Sequence, residues 1–304
     1  MIKTNKDKLL ITEILGEITH PALAMEMAYT TTWNGKSKLG IGMGSIKYNV
    51  KIGDPCFGWA EGENVEPGVA VDSIQKEPGQ SIMEENAFRI LACIGNEAVV
   101  VSGDAKGAKG VVVGKHGYIP RGEGLRGGHH VLISFEDSDL EKLVIGDKVL
   151  VKSRGVGLEI EGFQNVKVLN IDPELLERIV EIEDGKLVVP VVMEVPAYIM
   201  GQGSGGMPAE TSSYEIQTSS PVDVEELGLK RLRLGDIVAC KDILTAWGRG
   251  YYKGAVTIGV VSCGSSDLAG HGIGLTSILT CKEKRIMHKL DPKANIGYCL
   301  GILK

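Results

Sequence analysis

The stretch Ile145-Gly146-Asp147-Lys148-Val149-Leu150-Val151 places an apolar residue, a Gly-Asp pair and a β-branched run in immediate succession. Glycine supplies the backbone freedom for a tight turn, and the aspartate can bond neighbouring amides, so the chain reverses into a new strand. The same element stands at Ile52-Gly53-Asp54 and Leu234-Gly235-Asp236. Two copies lead, after similar intervals, to the glycine-rich segments Arg154-Gly155-Val156-Gly157 and Gly248-Arg249-Gly250. Small β-barrels turn their corners with such elements, so the repeat predicts a barrel-like unit in each half.

Short runs of strand character extend outward from this element. They include Val99-Val100-Val101, Val111-Val112-Val113 and residues 130–135, 148–151, 166–169, 187–192, 237–240, 255–262, 275–281 and 296–303. Each is strand-sized and has Gly, Asp or Pro nearby. Helical periodicity is scarce. Asp172-Pro173-Glu174 reads as an N-cap, a first-turn proline and a dipole-favoured acid opening a two-turn helix, and 81–95 is a second candidate. Without strands alternating with long helices, a doubly wound sheet is excluded. The expected fold is mainly β, with two or more barrel- or sandwich-like units and a few short helices. An N-terminal β unit would span 1–170, with a small barrel-like segment at about 98–170, and a C-terminal β unit 171–304.

The 304 residues carry 33 basic and 39 acidic side chains, a net charge of −6, which removes any general attraction to phosphate backbones or anionic lipids. No apolar run approaches the ~20 residues needed to span a bilayer, and residues 1–13 lack signal-peptide character. The six cysteines form no CxxC pair. Reduced, buried thiols in a cytoplasmic protein without membrane contact are therefore expected.

Several motifs imitate known chemistry. GxGxxG occurs at Gly122/Gly124/Gly127 and Gly201/Gly203/Gly206, but neither leads from a strand into an amphipathic helix, so a dinucleotide site is not expected. Ser204 in Gly203-Ser204-Gly205-Gly206 lacks the aspartate of a chymotrypsin-type nucleophile. The segment Gly201, Gly203, Ser204, Gly205 could instead present bare amides to an anion or oxyanion. Residues 103–113 resemble the KOW-type hairpin of small RNA-binding barrels, and Lys106, Lys109, Lys115, Arg121 and Arg126 make a local basic patch. The acidic chain and the lack of interleaved aromatics argue against nucleic acid, and favour Lys106 and Lys109 as a clamp for a small anion. The histidines carry more chemistry. His116 and His271 are flanked by glycines on turns, where imidazoles can reach a ligand, a proton or a metal. His129 and His130 are adjacent, so only one can face a given pocket along a strand. Glu66 and Asp104 are the carboxylates expected to partner them.

Gly95-Asn96-Glu97-Ala98, residues 102–110, Lys115-His116-Gly117, Val65-Glu66-Pro67-Gly68-Val69 and Gly270-His271-Gly272 together resemble one prokaryotic family. That family carries only a domain-of-unknown-function label and has a structural-genomics member from a thermophile. The resemblance covers nearly the whole chain and implies a mainly β fold of more than one unit, but no reaction. Two positions depart from its pattern. Residues 118–128 separate Lys-His-Gly from the histidine strand, and Ile273 stands where a proline is expected. Three functions follow from the residues. The first is a small-molecule hydrolase or lyase acting on a polar or anionic metabolite, with His116, His271, Glu66 and Asp104 as catalytic groups and His129 and His130 as metal ligands should a divalent metal assist. The second is a non-catalytic anion-binding protein, and the third RNA binding through the hairpin. The cofactor is open, and a homo-oligomer is compatible with all three.

Overall fold

A computed structural model describes residues 2–23, 29–74, 82–117, 130–203, 208–211 and 213–304. The chain is mainly β. Six antiparallel strands close a barrel: β1 (Thr12–Ile18), β2 (Val69–Ser73), β3 (Glu97–Val100), β4 (Lys109–His116), β5 (His130–Phe135) and β6 (Lys148–Ser153). Their order is β1-β6-β3-β4-β5-β2, with β2 returning to β1. A seven-stranded sheet follows, from β7 (Lys167–Val168), β8 (Met193–Val195), β9 (Met200–Gly203), β10 (Tyr214–Gln217), β11 (Ile237–Leu244), β12 (Gly250–Val261) and β13 (Gly272–Cys281). Its order is β8-β11-β12-β13-β10-β9, and β7 also pairs with β13. Strands 181–183, 186–191 and 286–290 make a small third sheet.

Alternation along the strands divides the core. Val69 and Val71 on β2, Val112 on β4, and Val131, Ile133 and Phe135 on β5 fill the barrel interior with Phe88 of α1 (Ile82–Leu91). The intervening Ala70, Val113 and Leu132 point outward, into one continuous cluster with Ile258, Leu275 and Leu279 of the second sheet. Side chains alternate faces along a strand, so one short run serves two cores. At the seam the barrel and sheet are stitched at one point: Lys115 N–H donates to Thr276 Oγ1 at 2.8 Å, and Thr276 Oγ1 donates to the Lys115 carbonyl at 3.1 Å. One residue earlier, a Cβ on Gly114 would lie 2.8 Å from Ser262 Cβ, so only glycine permits this approach. Gly114→Val is expected to destabilise the protein by about 1–3 kcal/mol through overpacking, read as a lower urea midpoint. An unchanged midpoint would show that the seam relaxes freely.

The Gly-Asp element behaves alike in all three places. Gly53, Gly146 and Gly235 have φ of +94°, +90° and +87°. Asp54, Asp147 and Asp236 accept the amide of the residue three positions earlier, from Lys51, Val144 and Arg233, at 2.7, 3.0 and 2.8 Å. β6 and β11 follow the second and third copies at once. After the first, only the isolated bridge Pro55–Arg233 forms, because proline offers no amide to extend a ladder. Two expectations need correction, and one strand was not anticipated. The barrel does not close within 98–170, since β1 and β2 supply a third of its strands. β1 escapes the pattern because only Gly16 and Ile18 of its seven residues are buried. Residues 296–303 are not a strand but open with the helix Ile296–Leu300, which Asn295 caps by accepting the Gly297 amide at 2.8 Å and Gly301 ends at φ +75°. The helix opened by Asp172 does form, over Pro173–Ile179, with the Asp172 carboxylate accepting the Glu174 amide at 2.9 Å.

Candidate functional site

The ladder between β4 and β5 ends with His116 directly opposite His130. Opposed residues share a face of the sheet, here the outward face that also carries Leu132. The segment 63–66 crosses this face, and Glu66 Oε1 lies 2.6 Å from His116 Nδ1 and 2.7 Å from His130 Nδ1. The other carboxylate oxygen accepts the Gly44 amide at 2.7 Å. All three side chains are buried. Burial opposes ionisation of Glu66, but the His130 and His116 imidazoles outweigh it and hold the carboxyl well below its usual range. A carboxylate facing two Nδ1–H groups holds the proton on Nδ1 of both rings and leaves each Nε2 to accept a proton in a neutral ring or donate one in a protonated ring. Lys47 lies in the same neighbourhood and donates to the Gly44 carbonyl. Burial pushes its ammonium pKa down, and the charge of Glu66 opposes that push.

Segment 63–66 ties this cluster to a second one. Asn64 Nδ2 donates to the Gly272 carbonyl at 2.6 Å, next to His271. His271 Nδ1 lies 3.2 Å from Glu215 Oε2, which also accepts the Gly272 amide at 2.9 Å. Burial disfavours the imidazolium, but Glu215 and Glu63 outweigh it, so His271 titrates above the ordinary imidazole value. The buried Cys263 thiol feels both Glu215 and Glu66, and burial and these charges push its pKa far up. Segment 63–66 thus bonds to His116 through Glu66 and to the backbone beside His271 through Asn64, and each histidine has its own glutamate. A Cβ on Gly201 would lie 2.4 Å from the Gly270 carbonyl, so the start of the glycine segment packs on the His271 turn. Gly203 pairs with Tyr214 in the β9–β10 ladder. Ser204, Gly205 and His129 lie outside the described residues, as do Arg121 and Arg126.

The remaining expected residues are elsewhere. Asp104 and Lys106 are exposed on the turn 103–107, and Lys109 opens β4 with its ammonium 3.8 Å from Glu97. Seven strand steps separate Lys109 from His116, about 23 Å at ~3.3 Å per residue, so neither Asp104 nor the lysine turn joins the histidines. Lys115 leaves the basic patch altogether. It is fully buried, and its ammonium donates to Asn170 Oδ1 at 2.7 Å and the Glu210 carbonyl at 2.8 Å. Asp72 gained a partner that residue types did not reveal. Arg89 of α1 grips it with two bonds, 3.2 and 2.7 Å, inside the core beside His130. Glu215 was also missed, although a charged residue inside the apolar run Tyr214-Glu215-Ile216 is a readable signal.

Among the described residues no group of three or more His, Cys, Asp or Glu side chains is placed to hold a metal ion. Five cysteines are buried, Cys299 is half-buried and all six are unbonded thiols. No described helix is long and apolar enough to cross a membrane. No curated protein matches the sequence. The solved structure titled "Crystal structure of TM1086", a Thermotoga structural-genomics protein, is 42% identical, with a TM-score of 0.87 over 98% of this chain and 99% of that one. Residues 29–177 match the N-terminal, and 177–300 the C-terminal, model of the domain of unknown function DUF4438, whose junction falls within the helix Pro173–Ile179. With both models side by side and a homologous structure along nearly its whole length, the chain belongs to the DUF4438 family.

Proposed function

We propose that Glu66, His116 and His130 form an acid–base centre of a small-molecule enzyme, a hydrolase or lyase acting on a polar, anionic metabolite. The observation that carries this reading is the single carboxylate oxygen within 2.7 Å of both Nδ1 atoms. Hydrolysis and elimination both need one group to take a proton, from water or from carbon, and another to give one to the departing atom. Two imidazoles opposed across a ladder supply that pair. Nε2 of the neutral ring accepts the first proton, the Nε2–H of the protonated ring delivers the second, and Glu66 stabilises whichever ring is charged. The Lys47 ammonium adds the cation that an anionic substrate would meet. A metal-assisted variant is less well served, because two imidazole nitrogens fall short of the three protein ligands a catalytic zinc usually takes.

The test is incubation of the purified protein with a polar-metabolite extract, followed by mass spectrometry. Time-dependent loss of one compound, with a product formed by adding water or by elimination, is expected. His116→Asn and His130→Asn should each slow it by about 100-fold or more, and chelation should leave it intact. Turnover that survives both substitutions, or that disappears with chelator and returns with a divalent cation, would refute the metal-free acid–base assignment.

A further inference from the structure

We infer that a cleft apart from the Glu66 cluster, lined by residues within 32–38, Trp59, Glu61 and Asp267, binds a neutral saccharide. It has a volume of ≈ 430 Å³ and lies between the turn carrying Trp33 and the turn carrying Trp59. Both walls are held in place. The Trp33 amide donates to the Asp267 carbonyl at 2.8 Å, and the turn beneath it closes through Gly35 N–H to the Thr32 carbonyl at 2.9 Å. Trp59 Nε1 donates to the Pro55 carbonyl at 2.9 Å, which fixes that indole from behind. The floor is Lys38, whose ammonium donates to the Gly62 carbonyl at 2.8 Å and to Asp267 at 2.5 Å, over the buried Glu63.

Three features select the ligand. Trp33 and Trp59 both line the cleft, and Trp33 is 44% exposed, which leaves indole surface open to a ring that stacks on it. The charged lining balances: Lys36 and Lys38 against Glu61 and Asp267. A ligand with net charge of either sign therefore gains nothing overall. The donors and acceptors are interleaved, with ammonium, amide, hydroxyl and carboxylate groups on one rim, which suits hydroxyls that donate and accept at once. Glu61 adds a further sign. It holds φ +51°, a left-handed conformation that a non-glycine residue adopts at a cost, and such strain is retained where a side chain must be aimed. A polyhydroxylated ring, apolar on its C–H faces and polar at its edge, matches this combination. The assignment uses none of the residues of the Glu66 cluster and stands or falls without it.

Tryptophan fluorescence tests it, because the chain has three tryptophans and Trp247 lies on the loop between β11 and β12, outside the cleft. Titrations with maltose, cellobiose and di-N-acetylchitobiose are compared with choline chloride and sodium citrate. At least one disaccharide should give a saturable change with a Kd of about 1 mM or tighter. Trp33→Ala should weaken it at least tenfold, Trp33→Phe should restore part of it, and Trp247→Ala should leave it unchanged. Absence of saturation with every disaccharide, a response insensitive to Trp33→Ala, or a larger Trp33-dependent response to choline or citrate would each overturn the assignment.

Discussion

Glu66→Ala is expected to lower the unfolding free energy by about 3–5 kcal/mol, among the largest effects of any single substitution in the chain. The side chain is almost wholly buried, and three donors converge on it: His116 Nδ1, His130 Nδ1 and the Gly44 amide. Removing the acceptor leaves all three in a dry seam, and each abandoned buried donor costs about 1–3 kcal/mol, less whatever local relaxation recovers. Glu66→Gln should cost less, since its carbonyl oxygen still serves one imidazole. The acid dependence has a definite sign. The folded carboxyl titrates well below its ordinary value of 4.5, so its stabilising contribution is complete above that value and is lost as pH falls through the folded pKa. Urea unfolding at neutral pH gives the energies, and ¹⁵N shifts of the two imidazoles report whether both still hold the proton on Nδ1. A cost below about 1 kcal/mol for the alanine variant, with unchanged tautomers, would show that Glu66 organises neither the seam nor the histidines.

Much of the architecture could be read because the physical rules involved are local. Val111-Val112-Val113 is strand-forming wherever it sits, and the Gly-Asp turn closes through a bond three residues long. What failed locally failed for identifiable reasons. β1 carries Glu13 and Glu17 and buries only Gly16 and Ile18, so its barrel membership comes from partners at 69–73 and 148–153 rather than from its own pattern. Ile296-Gly297-Tyr298-Cys299-Leu300 looks β-prone until Asn295 and Gly301 are seen to cap it at both ends.

The site divides in the same way. That His116, one of two adjacent histidines and Glu66 were the candidates for chemistry was readable from residue type and turn context. Their meeting was not, because the separations of 50 and 64 residues are closed only by the β4–β5 register and by the crossing of segment 63–66. Asp104 was expected to partner the histidines, yet it sits on the turn before an eight-residue strand whose far end carries His116. Lys115 shows the converse. Among lysines of a glycine-rich hairpin it reads as a solvated phosphate contact, but the crossing with Thr276 makes it the largest fully buried side chain among the described residues.

That burial makes Lys115 the source of a stability rise in mild alkali. Burial pushes its pKa down to about 8 from 10.5, with Cys93 and Glu210 opposing the shift. Between these values the unfolded chain keeps a proton that the folded chain has released. Unfolding free energy therefore rises with pH, and the contribution is full above 10.5 and gone below 8. At 1.36 kcal/mol per unit the gain is about 3 kcal/mol. The native partners accommodate both states. The ammonium uses Asn170, the Glu210 carbonyl and the Ile90 carbonyl, and the neutral amine gives up the longest bond, to Ile90 at 3.4 Å. Urea titrations of the wild type and Lys115→Met at pH 7.5, 8.5, 9.5 and 10.5 isolate the effect, since the other lysines and the tyrosines titrate in both proteins and cancel in the difference. The wild type should gain on the variant by about 3 kcal/mol over that span. A difference that stays flat would mean that Lys115 keeps its proton in the folded state, held by its three acceptors against the loss of water.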